Sequence, residues 1–205
     1  QALDAKPNIE KRVETISTEA YEYYLRAKYK FEKRKDIEDM EVIRGLLHKA
    51  INLDAGLSLA KNLYGKTYLF MGDYIKAMEI YNQNLLDAEI ISDELSMGYA
   101  LNNIGFIYRN QGDYEKALDF FTRSFKIKEE IQDKHGMGNT LNNLGIIHSQ
   151  LDDFVKALHF QDRSLKIREM LDDKVGMGNT LTSLGALYRK KGDNNKAIDF
   201  HQQAL

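Results

Sequence analysis

One stretch of 40 residues occurs almost twice in succession in this chain. LNNIGFIYRNQGDYEKALDFFTRSFKIKEEIQDKHGMGNT, from Leu101, runs directly into LNNLGIIHSQLDDFVKALHFQDRSLKIREMLDDKVGMGNT, from Leu141, and 22 of the 40 positions are identical. A third copy opens at Leu181 and stops at Leu205, inside what the pattern makes a helix. An older copy precedes them, with Gly65 where the others carry Gly105, Gly145 and Gly185. A fixed period of this length points to a repeat solenoid, in which each unit buries its apolar face only against its neighbours. Such an array offers a long surface for holding something and no pocket for chemistry.

Each unit reads as two helices. Leu101, Ile104, Gly105 and Tyr108 fall at helical spacing and mark one buried stripe. A break follows at Gly112-Asp113, because Gly suits the left-handed position past a helix end and Asp is a strong N-cap. Asp recurs there as Asp73, Asp113, Asp153 and Asp193. The second helix carries Ala77, Ala117, Ala157 and Ala197 at equivalent places, small enough for close approach of the paired helices. Four residues on stand Tyr81, Phe121, Gln161 and His201. Gly136 and Gly176 are expected to end this helix and turn the chain into the next unit. Lys126, Lys128, Lys166 and Arg168 alternate with acids on it, which predicts a solvated face.

The resulting fold class is all-α: a right-handed α-solenoid of antiparallel helix pairs, about five repeats with the last incomplete. The units expected are a divergent first repeat over 17–56 and an array over 57–205, divided as 57–96, 97–136, 137–176 and 177–205. Residues 1–16, which hold the only proline, Pro7, read as a linker or irregular segment. A longer turn is expected near Lys33 to Asp39. Because the last copy is incomplete, apolar surface is expected to be exposed at Leu184, Leu187, Ala197 and Ile198.

Composition removes several function classes. Hydrophobic residues make up 43% and charged residues 29%, ordinary for a folded helical protein. A net charge of -2 gives no reason to expect nucleic acid or an anionic membrane surface as a partner. With no cysteine there is no disulfide framework, thiolate zinc site or redox switch. No apolar run approaches the roughly 18 residues of a membrane span, so a cytoplasmic location is expected.

The spacings Leu101-x2-Ile104-Gly105-x2-Tyr108 and Ala117-x3-Phe121 resemble the tetratricopeptide repeat pattern, aromatic-x2-Leu-Gly-x2-Tyr followed by Ala-x3-Phe. Leu144-Gly145 and Leu184-Gly185 match in the later copies. The chain departs from the pattern where no copy has the leading Trp, where His148 replaces Tyr, and where Asp152 replaces the turn Gly. The 40-residue period resembles the long-helix members in Pins-type adaptors, kinesin light chains and bacterial signalling proteins. EAYEYYLRAKY resembles the segment that opens such arrays in bacterial nucleotide cyclases and transcription regulators. The resemblance implies a protein-interaction scaffold and no enzyme. The runner-up is a regulatory segment of a multidomain enzyme such as a nucleotide cyclase or kinase, acting within its own chain.

Stacked pairs curve with the first helices inside. If the Leu101 stripe is buried, the inner face carries Tyr99, Asn102, Phe106, Arg109 and Asn110 in one unit. The next presents Asn139, Asn142, Ile146, Ser149 and Gln150, and the last Asn179, Thr182, Ala186, Arg189 and Lys190. Amides donate and accept together, which suits an extended peptide backbone, and arginine adds a fork for carboxylates. The same asparagines would equally serve to bond neighbouring helices and set the curvature. The Lys-x3-Asn pair of chaperone-binding family members is matched only in reverse, by Asn62-x3-Lys66, which argues against a chaperone-tail clamp.

Other motifs read as structure. GMGNTLNNLG follows a helix and lacks the third glycine of a dinucleotide fingerprint. Met97, Met137 and Met177 recur at one turn as packing residues. His48, His135, His148, His159 and His201 show no ligand spacing, and His148 and His201 replace aromatics of other copies. No nucleophile has a base and an orienting group. The expected partners are a protein or peptide, in another molecule or in the same chain. No cofactor, metal, nucleic acid, membrane or small-molecule substrate is expected.

Overall fold

A computed structural model describes residues 17–34 and 39–204. The expected linker over 1–16 and most of the expected turn between Lys33 and Asp39 lie outside the described residues. Ten helices follow in order: α1 (Thr18–Lys33), α2 (Asp39–Leu53), α3 (Ser58–Phe70), α4 (Tyr74–Ile91), α5 (Glu94–Asn110), α6 (Tyr114–Glu130), α7 (Lys134–Gln150), α8 (Phe154–Met170), α9 (Lys174–Lys190) and α10 (Asn194–Gln203). No strand occurs among the described residues. Each helix packs on the next in sequence, so the chain is a solenoid of helix pairs.

Caps and turns recur with the period. Asp73, Asp113, Asp153 and Asp193 each accept the backbone N–H three residues on, at 3.0–3.2 Å, which starts α4, α6, α8 and α10. The tight turn before each needs a left-handed residue. Gly72, Gly112 and Gly192 supply it, and Asp152 takes the same conformation at φ 60°.

The turns between units differ from expectation. Their left-handed residues are Ser92, Gln132 and Asp172, and Asp93, Asp133 and Asp173 cap the following helices. Gly136 and Gly176 therefore do not end a helix. They lie three residues past the cap inside α7 and α9, where a Cβ would strike the capping carboxylate and the Lys128 or Arg168 side chain. The glycine is required by close packing rather than by a turn.

Within a pair, the small residues set the spacing. Gly105 lies against Phe121, with an added Cβ placed 3.1 Å from the ring, and Gly65 lies against Tyr81 in the same way. Phe121, Ala117, Leu144 and Ile147 form one core cluster, repeated along the axis as Tyr81 with Ile104 and as Ala157 with Leu184. Burying Phe121 contributes on the order of 2–3 kcal/mol. Gln161 takes the aromatic place in the fourth unit, and neither of its buried amide atoms has a partner. His201 takes it in the last, half-buried beside Gly185. Leu184, Leu187 and Ala197 are buried, contrary to expectation, because α9 and α10 pack on one another; Ile198 is exposed.

A second difference concerns the basic residues of α6 and α8. Lys126 and Lys166 are exposed, but Lys128 and Arg168 are buried. Ala117, Phe121, Ser124 and Lys128 follow one another at spacings of four, three and four, which is the buried stripe itself. The Lys128 ammonium donates to Thr140 Oγ1 at 3.0 Å and lies 5.1 Å from the centre of the Tyr99 ring. Burial holds it down to about 7, against the upward pull of Asp133.

Candidate functional site

The odd-numbered helices face the inside of the curve. Backbones approach closely between α1 and α3, α3 and α5, α5 and α7, and α7 and α9, whereas the even-numbered helices stand further apart and meet through long side chains, as where Arg163 of α8 reaches the Phe125 ring of α6 at 5.2 Å. Closer spacing on the odd side bends the array towards it, so these helices line its concave face.

Residues of that face fall into two groups. Asn102, Arg109, Asn110 and Lys190 bond to neighbouring units, and Asn139 to the second helix of its own unit. Asn102 Oδ1 accepts from Thr140 Oγ1 at 3.1 Å and from Asn143 Nδ2 at 3.5 Å, while Arg109 Nη1 donates to Asn143 Oδ1 at 2.9 Å. The Arg109 guanidinium also covers the Phe106 ring at 4.5 Å, and burial lowers its pKa. Asn110 donates to the Tyr74 hydroxyl at 3.3 Å, and Asn139 accepts from Arg168 at 2.8 Å. Lys190 donates to the carbonyls of Ser149 and Gln150 and pairs with Asp152 at 2.7 Å.

The second group is open. Gln150, Asn179, Thr182, Ala186 and Arg189 are exposed, and Ile146 and Asn142 are half-buried, with Asn142 Oδ1 lacking a partner. Thr182 Oγ1 donates to the Gly178 carbonyl of its own helix. Tyr99 is half-buried, and burial with the neighbouring Asp133 carboxylate pushes its hydroxyl up to about 12. Sequence reasoning missed Asn143, which joins Arg109 to Asn102 across two units. Its signal was the Asn102-Asn103 and Asn142-Asn143 pairs, of which only the first members were chosen.

The charge of this face is one-sided. Among α3, α5, α7 and α9 the only carboxylate is Glu94, at the outer corner where α5 begins, while Lys66, Arg109, Arg189 and Lys190 stand along the inner side. From α3 onwards the other acids lie on the second helices and in the turns; α1 carries Glu19, Glu22 and Glu32. Among the described residues no group of three or more His, Cys, Asp or Glu is placed to hold a metal ion, and no helix is long and apolar enough to cross a membrane.

A curved stack of helix pairs with a groove of amides and cations defines a scaffold for protein–protein interaction. The chain belongs to the tetratricopeptide repeat family, whose profile matches residues 56–130, 96–170 and 136–205. No curated protein matches it by sequence. Among solved structures, BtubC (BKLC) of P. vanneervenii is 21% identical with a TM-score of 0.65, over 90% of this chain and 86% of that one. Aspartyl phosphate phosphatase F of Bacillus subtilis is 15% identical with a TM-score of 0.68, over 90% of this chain and 58% of that one. PilF of Pseudomonas aeruginosa is 16% identical with a TM-score of 0.67, over 90% of this chain and 74% of that one. At these identities the likeness is one of fold. The family is in general a non-catalytic one that binds protein partners.

Proposed function

We propose that the concave groove holds a partner peptide or helix bearing acidic groups, as the interaction part of a larger signalling protein. The units of the scaffold are taken as 17–56, 57–96, 97–136, 137–176 and 177–205. The observation that carries this reading is the charge of the groove along α3, α5, α7 and α9: cations at Lys66, Arg109 and Arg189, amides between them, and Glu94 at the outer corner as the one carboxylate of these helices. Amides suit the donors and acceptors of a peptide backbone, and arginine forks suit its carboxylates. The Asn143 bond holds Arg109 in place beforehand, which lowers the ordering cost of binding.

Selection from a displayed peptide library on the wild-type array tests this. Enriched sequences are expected to be acidic, and Arg109→Ala with Arg189→Ala is expected to weaken them about tenfold or more while the array stays folded by circular dichroism. Sequences without acidic enrichment, or affinity retained by the double variant, would overturn the assignment.

A further inference from the structure

The outer side of α4 and its corner with α5 differ from the same place in later units. From Ala77 to Tyr108 the chain has five carboxylates, Glu79, Asp87, Glu89, Asp93 and Glu94, and no Lys, Arg or His. Two of the five are occupied: Asp87 pairs with Lys61 at 2.6 Å, and Asp93 caps α5. Glu79, Glu89 and Glu94 are exposed, with no ion pair among the described residues.

Beside these acids lies uncovered apolar surface. Ile90 is 81% exposed, Leu86 55%, Ile91 54% and Leu95 39%. Leu86 and Ile90 are one helical turn apart on the outward stripe Glu79, Gln83, Leu86, Ile90. Ile91 and Leu95 flank the two-residue turn into α5. One unit later the stripe reads Asp119, Arg123, Lys126, Glu130, and there Arg123 and Asp119 pair at 3.6 Å. That stripe carries its own counter-charges. In α4, Gln83 and Leu86 stand where those cations would be, so the acids lack counter-ions and the apolar residues lack cover.

We propose that this outer corner is a second docking surface, distinct from the groove, for a cationic amphipathic helix of a partner protein. Such a helix would lay apolar side chains across Leu86 and Ile90 and place Lys or Arg against Glu79, Glu89 and Glu94. The charge excludes an acidic partner here, so the two surfaces select opposite ligands.

The test uses a fluorescent synthetic helix of leucine and lysine, about five turns long, and its counterpart with glutamate for lysine. The wild-type array is expected to bind the lysine helix, more weakly as NaCl rises from about 0.05 to about 0.5 M, and not the glutamate one. Substituting Gln83→Arg, Leu86→Lys and Ile90→Glu installs the residues the next unit already carries. It is expected to lower affinity about tenfold or more while leaving melting unchanged. The groove variant Arg109→Ala with Arg189→Ala is expected to bind the lysine helix like wild type, so failure of either assignment is recognised separately. Equal binding by wild type and the triple variant would overturn the proposal, as would preference for the glutamate helix. So would binding of phosphatidylcholine–phosphatidylglycerol vesicles, or self-association in sedimentation, abolished by the same triple variant, since a bilayer or a second copy would then own this face.

Discussion

Lys128 and Arg168 occupy one place in successive units, both nearly without exposed surface, and they are held in different ways. Arg168 donates Nε to Ser164 Oγ at 3.2 Å, Nη1 to Asp173 Oδ2 at 3.0 Å and Nη2 to Asn139 Oδ1 at 2.8 Å. Lys128 has one hydrogen bond, to Thr140. Tyr99 stands where an amide like Asn139 would accept, and Asp133 Oδ2 is buried without a partner. A planar fork reaches three acceptors that a point charge on a flexible stem does not. Two near-copies of a repeat thus join to their neighbours through an ionic joint in one case and an undersatisfied one in the other.

The largest effect is expected at the ionic joint. Arg168→Met leaves the half-buried Asp173 without its cation and empties three hydrogen bonds, and should cost about 2 kcal/mol in urea unfolding. An equal loss from Lys128→Met would break the contrast. That second variant is instead expected to stabilise the array by about 1–2 kcal/mol near pH 6. Between about 7 and the ordinary 10.5 the unfolded chain keeps a Lys128 proton that the native chain has released, so wild-type stability rises with pH across that window. The advantage of the methionine should therefore fade as pH rises towards 10.5; a gap independent of pH would mean that the buried amine does not titrate there. The smallest effect sharpens the comparison by transplanting one joint into the other. Lys128→Arg with Tyr99→Asn should be more stable than the sum of the single changes by about 1 kcal/mol, read from a double-mutant cycle.

The period, the helix pairs, the Asp caps and the place of Gly105 on the buried stripe were legible because each depends on residues within one unit. The buried cations were not, because Lys and Arg alternating with Glu resemble a solvated face. The register of Lys128 with Ala117, Phe121 and Ser124 was the available signal, and charge was allowed to outweigh spacing. Gly136 was misplaced for a related reason: glycine after a helix suggests a turn, whereas here Gln132 adopts the left-handed conformation and the glycine yields space to Asp133 and Lys128. The division of the candidate groove residues into bonded and open members depends on contacts between helices, which spacing within a unit does not encode.

Lys190 reaches back from the end of α9 to hold two carbonyls at the end of α7, at 2.6 and 3.3 Å, and Asp152 beyond it. At the matching place two units earlier, Asn110 makes one bond, at 3.3 Å, to Tyr74. An elongated array carries load in series, so tension applied between its ends passes through every such strap in turn. The strap made by Asn110 is expected to part before the one made by Lys190, and the scaffold would lengthen first between α4 and α5 while α7 to α10 stayed stacked.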